Sequence, residues 1–149
     1  MLKRRSTPVL AVTVTAMFVF PESTMGSDLE KLAGEWECTS ATNDGKPIAE
    51  ETVKKLRLTI TKEGGYKTTL GEQVLFDSTC MVDSQKQPSQ IDMIGTEGEN
   101  KGKAAQGIYA LDKDSLKICY TMPGKDRPAS FDSQPGSAAT LVVWKRLTK

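Results

Sequence analysis

Apolar residues along this chain recur in short alternating runs, and long helical periodicity is missing. From Ser27 onward the runs are β-branched or alternating and are separated by turn residues, the pattern of an antiparallel all-β domain. Ser27-Asp28 caps a single turn over residues 29–32, which leads into a first strand, 34–41, ending at Asn43-Asp44-Gly45. Residues 49–56 form the one helix the pattern supports, because Glu50 with Lys54 and Glu51 with Lys55 are well-oriented i, i+4 ion pairs. In 57–62, Leu58 and Ile60 alternate with Thr59 and Thr61, and Glu63-Gly64-Gly65 turns the chain into 66–70 as a hairpin. Residues 73–82 read as a strand or a bulged pair of strands, 83–90 as a polar loop containing Pro88, and 91–94 as another strand. A Gly-rich charged connection, 95–102, precedes two strands, 103–111 and 115–122, that pair across Asp112-Lys113-Asp114. A long loop, 123–136, holds Phe131, and 140–147 is the closing strand. The tally is about eight strands plus one short peripheral helix. At about eight strands an up-and-down sheet closes into a barrel that its own side chains fill or that holds one small ligand.

The beginning of the chain has a different texture. Lys3-Arg4-Arg5, the apolar run 8–20 and a small polar stretch ending at Gly26 have the order of a secretory signal peptide. The apolar run is shorter than the roughly 20 residues that cross a hydrocarbon core, which argues against a permanent anchor. The expectation is a leader over 1–26, one domain over 27–149, and a protein that is exported, periplasmic or extracellular, monomeric, and without a stable membrane span once cleaved. Without the leader the chain carries 17 basic and 18 acidic residues, so it is nearly neutral. That balance gives no footprint for a phosphate backbone, and nucleic acid is not expected as a partner. Cys38, Cys80 and Cys119 are an odd count with no CxxC; one disulfide plus a free thiol, or three buried thiols, both fit an oxidising compartment. Histidine is absent, which removes imidazole bases, Ser-His-Asp and Cys-His arrangements and the commonest zinc ligand together. No catalytic residue, metal or cofactor is therefore expected.

Gly34-Glu35-Trp36 resembles the G-x-W that opens the first strand of lipocalins, and Arg146 in the last strand matches the Arg that packs near that Trp at the closed end of the barrel. A longer series includes Gly107-Ile108-Tyr109, Leu116-Lys117-Ile118-Cys119, Pro123-Gly124-Lys125, Arg127-Pro128, Phe131 and Lys145-Arg146. It is similar to an exported lipocalin-like domain family, of mostly uncharacterised members, that is expanded in planctomycete bacteria. The likeness runs over residues 29–147 and implies a calycin-type barrel; it brings no established reaction. Two departures are Ala104-Ala105-Gln106 before Gly107, where a bulkier residue is common, and Trp144, where an aliphatic one is usual.

Several residues invite a chemical role. Trp36 shares a strand face with Cys38, so an inward Trp36 would plug the barrel floor, with Arg146 stacked on it for about 0.5 to 2 kcal/mol. Tyr66, Phe76, Tyr109, Tyr120 and Trp144 are strand aromatics that would line either a ligand cavity or a solid core, and alternation alone does not separate the two. Met81, Met93 and Met122 would make either interior adaptable. Lys125 and Arg127, on a loop stiffened by two prolines, would hold an anionic head group or a partner's carboxylate at an open mouth; the plainer reading is an exposed loop docked by Phe131. The run 98–103 lacks the spacing and the hydroxyl of a phosphate loop, and Asp112-Lys113-Asp114 lacks the rest of a calcium loop. The functional expectation is a non-catalytic barrel binding a small apolar or amphipathic ligand. The alternative is a solid barrel whose loops bind another protein or a cell-envelope component.

Overall fold

The computed structural model describes residues 24–148. Most of the expected leader lies outside the described residues; within them the chain opens on a helix, α1 (Thr24–Leu32), that runs through the expected cleavage position. Nine strands follow: β1 (Gly34–Asn43), β2 (Lys46–Pro47), β3 (Leu56–Ile60), β4 (Gly65–Leu70), β5 (Gln73–Asp83), β6 (Ser89–Gly95), β7 (Ala104–Asp112), β8 (Ser115–Thr121) and β9 (Ala139–Arg146). The two-residue β2 only extends a hairpin from the end of β1. The other eight pair antiparallel, neighbour to neighbour, and β9 returns to β1, which closes the barrel. The one helix expected between strands is shorter than its ion pairs imply: α2 is Glu50–Val53, and Glu50 bridges Lys54 at 3.3 Å. No helix among the described residues is long and apolar enough to cross a membrane.

Two bulges adjust which side chains face inward. In β1, Cys38 opposes Trp144 while Ser40 opposes Val143, so Thr39 is an extra residue. Its insertion lets Trp36, Cys38 and Ala41, which do not share one parity, all be buried. In β5, Phe76 opposes Thr68 and Val74 opposes Thr69, leaving Leu75 as the extra residue. The stretch expected as a strand or a bulged pair is thus one strand with a bend near its start. Regular alternation further along β5 turns Cys80 and Val82 inward and leaves Met81 on the outer face, 46% exposed. Met81 is therefore no part of the interior, contrary to the expectation, because it has the wrong parity.

One end of the barrel is closed and densely packed. Trp36, Leu58, Leu116 and Ile118 are completely shielded from solvent, and Leu32 of α1 sits beside them in the same cluster. The end of α1 is tied to the barrel through its last carbonyls, which a helix cannot satisfy by itself. Leu32 O accepts from the Trp36 indole at 3.0 Å. The Arg146 guanidinium donates to Lys31 O at 2.7 Å and to Ala33 O at 2.9 Å. It also lies 4.2 Å from the Trp36 ring centroid, as the G-x-W pattern implied. Gly34 is required between them. Its φ is +140°, and a Cβ there would stand 2.9 Å from Arg146 Nη1.

The wall carries a second, smaller core on its outside. Ile108, Cys119 and Ala139 point outward from β7, β8 and β9; the loop after β8 folds back over them with Phe131, and Leu141 of β9 packs against the same cluster. Lys117 caps the Phe131 ring at 5.5 Å. All three cysteines are buried and free, on opposite faces: Cys38 and Cys80 inward, Cys119 under the loop.

Candidate functional site

The other end of the barrel is open, and its lumen holds a cavity of about 180 Å³. Each of the eight barrel strands contributes at least one lining residue, so the cavity is the barrel interior and not a surface dent. Its space comes from the size of the inward side chains. Ala41, Ala105, Thr68, Ser78 and Thr140 occupy positions where the closed end has Leu, Ile or Trp. Small residues at matching depth on several strands cannot meet across an eight-stranded lumen.

Aromatic rings supply much of the wall. Tyr66, Phe76, Tyr120 and Trp144 line the cavity as expected. Tyr109 does not. It is buried in the closed half, cross-strand from Ser89, where burial and the nearby Asp28 charge push its hydroxyl up to about 12 against the pull of a Ser89 hydrogen bond. Parity placed it inside correctly; depth along the strand, which alternation does not encode, put it below the chamber. Burial also raises the hydroxyls of Tyr66 and Tyr120, the latter offset in part by a hydrogen bond with Thr140. Both therefore stay protonated donors across the physiological range. The Trp144 indole N–H is buried with no hydrogen-bond partner, an arrangement that typically costs about 1–3 kcal/mol.

Lys125 and Arg127 are not at the mouth. The chain turns outward after Met122 and Pro123 and carries both residues down the outer wall. Arg127 is held there by its own barrel, donating to Asp92 at 2.7 Å and to the carbonyls of Gly107 at 2.8 Å and Ile91 at 3.2 Å. Lys125 is exposed beside it and lines no part of the chamber. The signal for this course is in β8, where Ile118-Cys119 breaks alternation: two adjacent buried apolar residues mean a strand covered on both faces. Something had to cover the outside, and the Phe131 loop does. The docked-loop reading is the one the geometry supports. Around that loop a more open and more polar hollow of about 290 Å³ is lined by Thr121, Arg127, Asp132 and their neighbours.

The mouth joins Phe76 and Met122, which the pattern singles out, to residues it gives no role at a site, among them Ile48, Thr52, Leu75 and Asn100. The connection 95–103 contains a short 3-10 turn (Gly98–Asn100) and folds over Gly95, bringing Asn100 and Lys103 to the cavity. Ile48 and Thr52, before and within α2, reach it from the opposite side, so α2 is positioned at the mouth. Leu75, Phe76 and Met122 form an exposed apolar rim, between 36% and 40% accessible. Lys103 is the one charged residue in the lining. Among the described residues no group of three or more Cys, Asp or Glu side chains is placed to hold a metal.

Comparison of the chain with family models, with curated proteins and with solved structures finds no match. The geometry of the chamber therefore carries the functional argument.

Proposed function

We propose that this chain is an exported, non-catalytic lipocalin-like protein that binds one small apolar or amphipathic molecule in the open half of its barrel. The observation that supports it is the 180 Å³ chamber, to which all eight barrel strands contribute, walled mainly by apolar and aromatic side chains and open at one end, where Leu75, Phe76 and Met122 form an apolar rim beside Asn100 and Lys103. Concave, mostly apolar chambers with a few placed polar groups are the usual form of a small-molecule site. Export rests on the order of charges and apolar residues over 1–26. The alternative, a filled barrel acting through Lys125 and Arg127, has less behind it, since Arg127 is already engaged by Asp92 and two carbonyls of its own wall.

The test is direct. The mature protein, purified without denaturation, is examined by native mass spectrometry, and after solvent extraction it is screened by thermal shift against small aromatic acids and alcohols, short acyl chains and pigments. Stabilisation should follow mass action, about 2.7 kcal/mol at a hundredfold excess over Kd. A protein that carries nothing and responds to none of these compounds overturns the proposal.

A further inference from the structure

Resting on that reading, we infer that the occupant is a carboxylate with a single aromatic ring, its ring in the chamber and its carboxylate at Lys103. Volume bounds the enclosed apolar part: a cavity of about 150 Å³ holds one benzene, so 180 Å³ encloses one substituted ring, and a fused polycycle or long acyl chain would leave much of its apolar surface outside the mouth. The wall favours a ring over a flexible chain of equal volume. Tyr66, Phe76, Tyr120 and Trp144 offer faces and edges for offset or edge-to-face contact, and a ring loses almost no rotor freedom on entry, whereas an acyl chain does.

Charge sets the polar end. Lys103 is the only ionised side chain in the lining, and the ion pairs among the described residues are Glu50–Lys54, Asp92–Arg127 and Asp114–Arg146, so none occupies it. An ammonium without a carboxylate partner, next to the exposed apolar rim of Leu75 and Met122, fits an anion whose body is apolar. Asn100 also lines the chamber, as a neutral polar residue.

Calorimetric titration of the extracted mature protein with 4-ethylbenzoate, 4-ethylbenzamide and stearate tests the assignment. Expected is a preference of about five-fold for the carboxylate over the amide, the size of a partly exposed ion pair, shrinking as salt is raised. Stearate should bind more weakly than either. Lys103→Ala should bring the carboxylate and the amide within two-fold of each other with the amide's affinity unchanged, and Lys103→Arg should keep the preference. Thermal melts of both variants should match the parent, because Lys103 is exposed. Equal affinity for carboxylate and amide in the parent, or a preference that survives Lys103→Ala, overturns the role of Lys103. Tighter binding of stearate overturns the single-ring assignment, and both results leave the chamber a binding site. Failure of all three probes, with no response in the wider thermal-shift screen, removes the binding reading itself.

Discussion

The two halves of this barrel are built by the same strands in the same register, yet one is solid and the other hollow. Its two tryptophans mark the difference. Trp36, in the closed half, is wholly buried, donates its N–H to Leu32 O and lies under Arg146. Trp144 is nearly as buried, but its N–H has no partner and one side of it faces the chamber wall. Burial alone therefore does not report how tightly a residue is held. What separates the halves is inward side-chain volume, Leu58, Leu116 and Ile118 at one end against Ala41, Ser78 and Ala105 at the other.

Replacing each indole by the same smaller ring breaks the comparison most sharply. Trp36→Phe leaves a void among close-packed neighbours, orphans Leu32 O and weakens the stacking of Arg146, for an expected loss of about 3 kcal/mol. Trp144→Phe also loses volume, but it removes an unpaired buried N–H and borders space that already exists, so about 1 kcal/mol is expected. Urea unfolding monitored by far-UV circular dichroism reads both; equal losses would mean that the halves are packed alike. Next in size is Arg146→Met, which keeps the apolar stem and deletes the guanidinium. Loss of the ring contact and of the bonds to Lys31 O and Ala33 O should cost about 2 kcal/mol and loosen α1, measurable as faster amide exchange at residues 29–33.

Alkaline titration distinguishes interior from surface without any mutation. Burial raises the thiols of Cys38 and Cys80 from about 9 to about 11, and burial of the Cys119 sulfur acts in the same direction. The unfolded chain gives up these protons near pH 9, whereas the folded chain holds the first two to about pH 11. Above pH 9 the unfolded state thus binds fewer protons, and stability falls as pH rises through 9 to 11; below pH 9 this contribution is fully present. Urea midpoints should be level from pH 7 to 8.5 and decline beyond it, and native protein at pH 8 should resist maleimide until unfolded. A midpoint unchanged to pH 11 would show that the thiols are not shielded.

Most of the barrel was legible because alternation is a backbone property: Leu58 and Ile60 in β3 or Tyr66 and Thr68 in β4 declare their face by parity. G-x-W with Arg146 also carried its geometry, since Gly34, Trp36 and the guanidinium form one packed unit. Legibility failed where the structure departs from period two or where depth matters. The extra residues Thr39 and Leu75 shift register without any Gly or Pro to announce them. Tyr109 has the right face at the wrong height, and Arg127 was assigned to the mouth although Ile118-Cys119 called for an outer cover. Pattern reads Lys103 as the start of a strand and as the last residue of a run that fails as a phosphate loop; its place at the mouth comes from the packing of the preceding connection against Gly95, which no local pattern encodes.

The smallest effect on stability should accompany the largest effect on the chamber. Ala105 projects inward from β7 into the hollow half, with Met93 opposite it across the ladder. Ala105→Leu adds three carbons where space exists, so burial of the new methyl groups should offset the lost freedom of the side chain, leaving stability within about 0.5 kcal/mol of the parent. The same substitution at Ala139, packed in the outer core under the Phe131 loop, has no such space and overpacks at a typical cost of about 1–3 kcal/mol. In the chamber the added volume takes up much of the room for one ring, and 4-ethylbenzoate should cease to bind by calorimetry while the melt stays in place. If Ala105→Leu instead destabilises by 2 kcal/mol or more, the open half is not hollow in solution, and the contrast between the two ends of the barrel is lost with it.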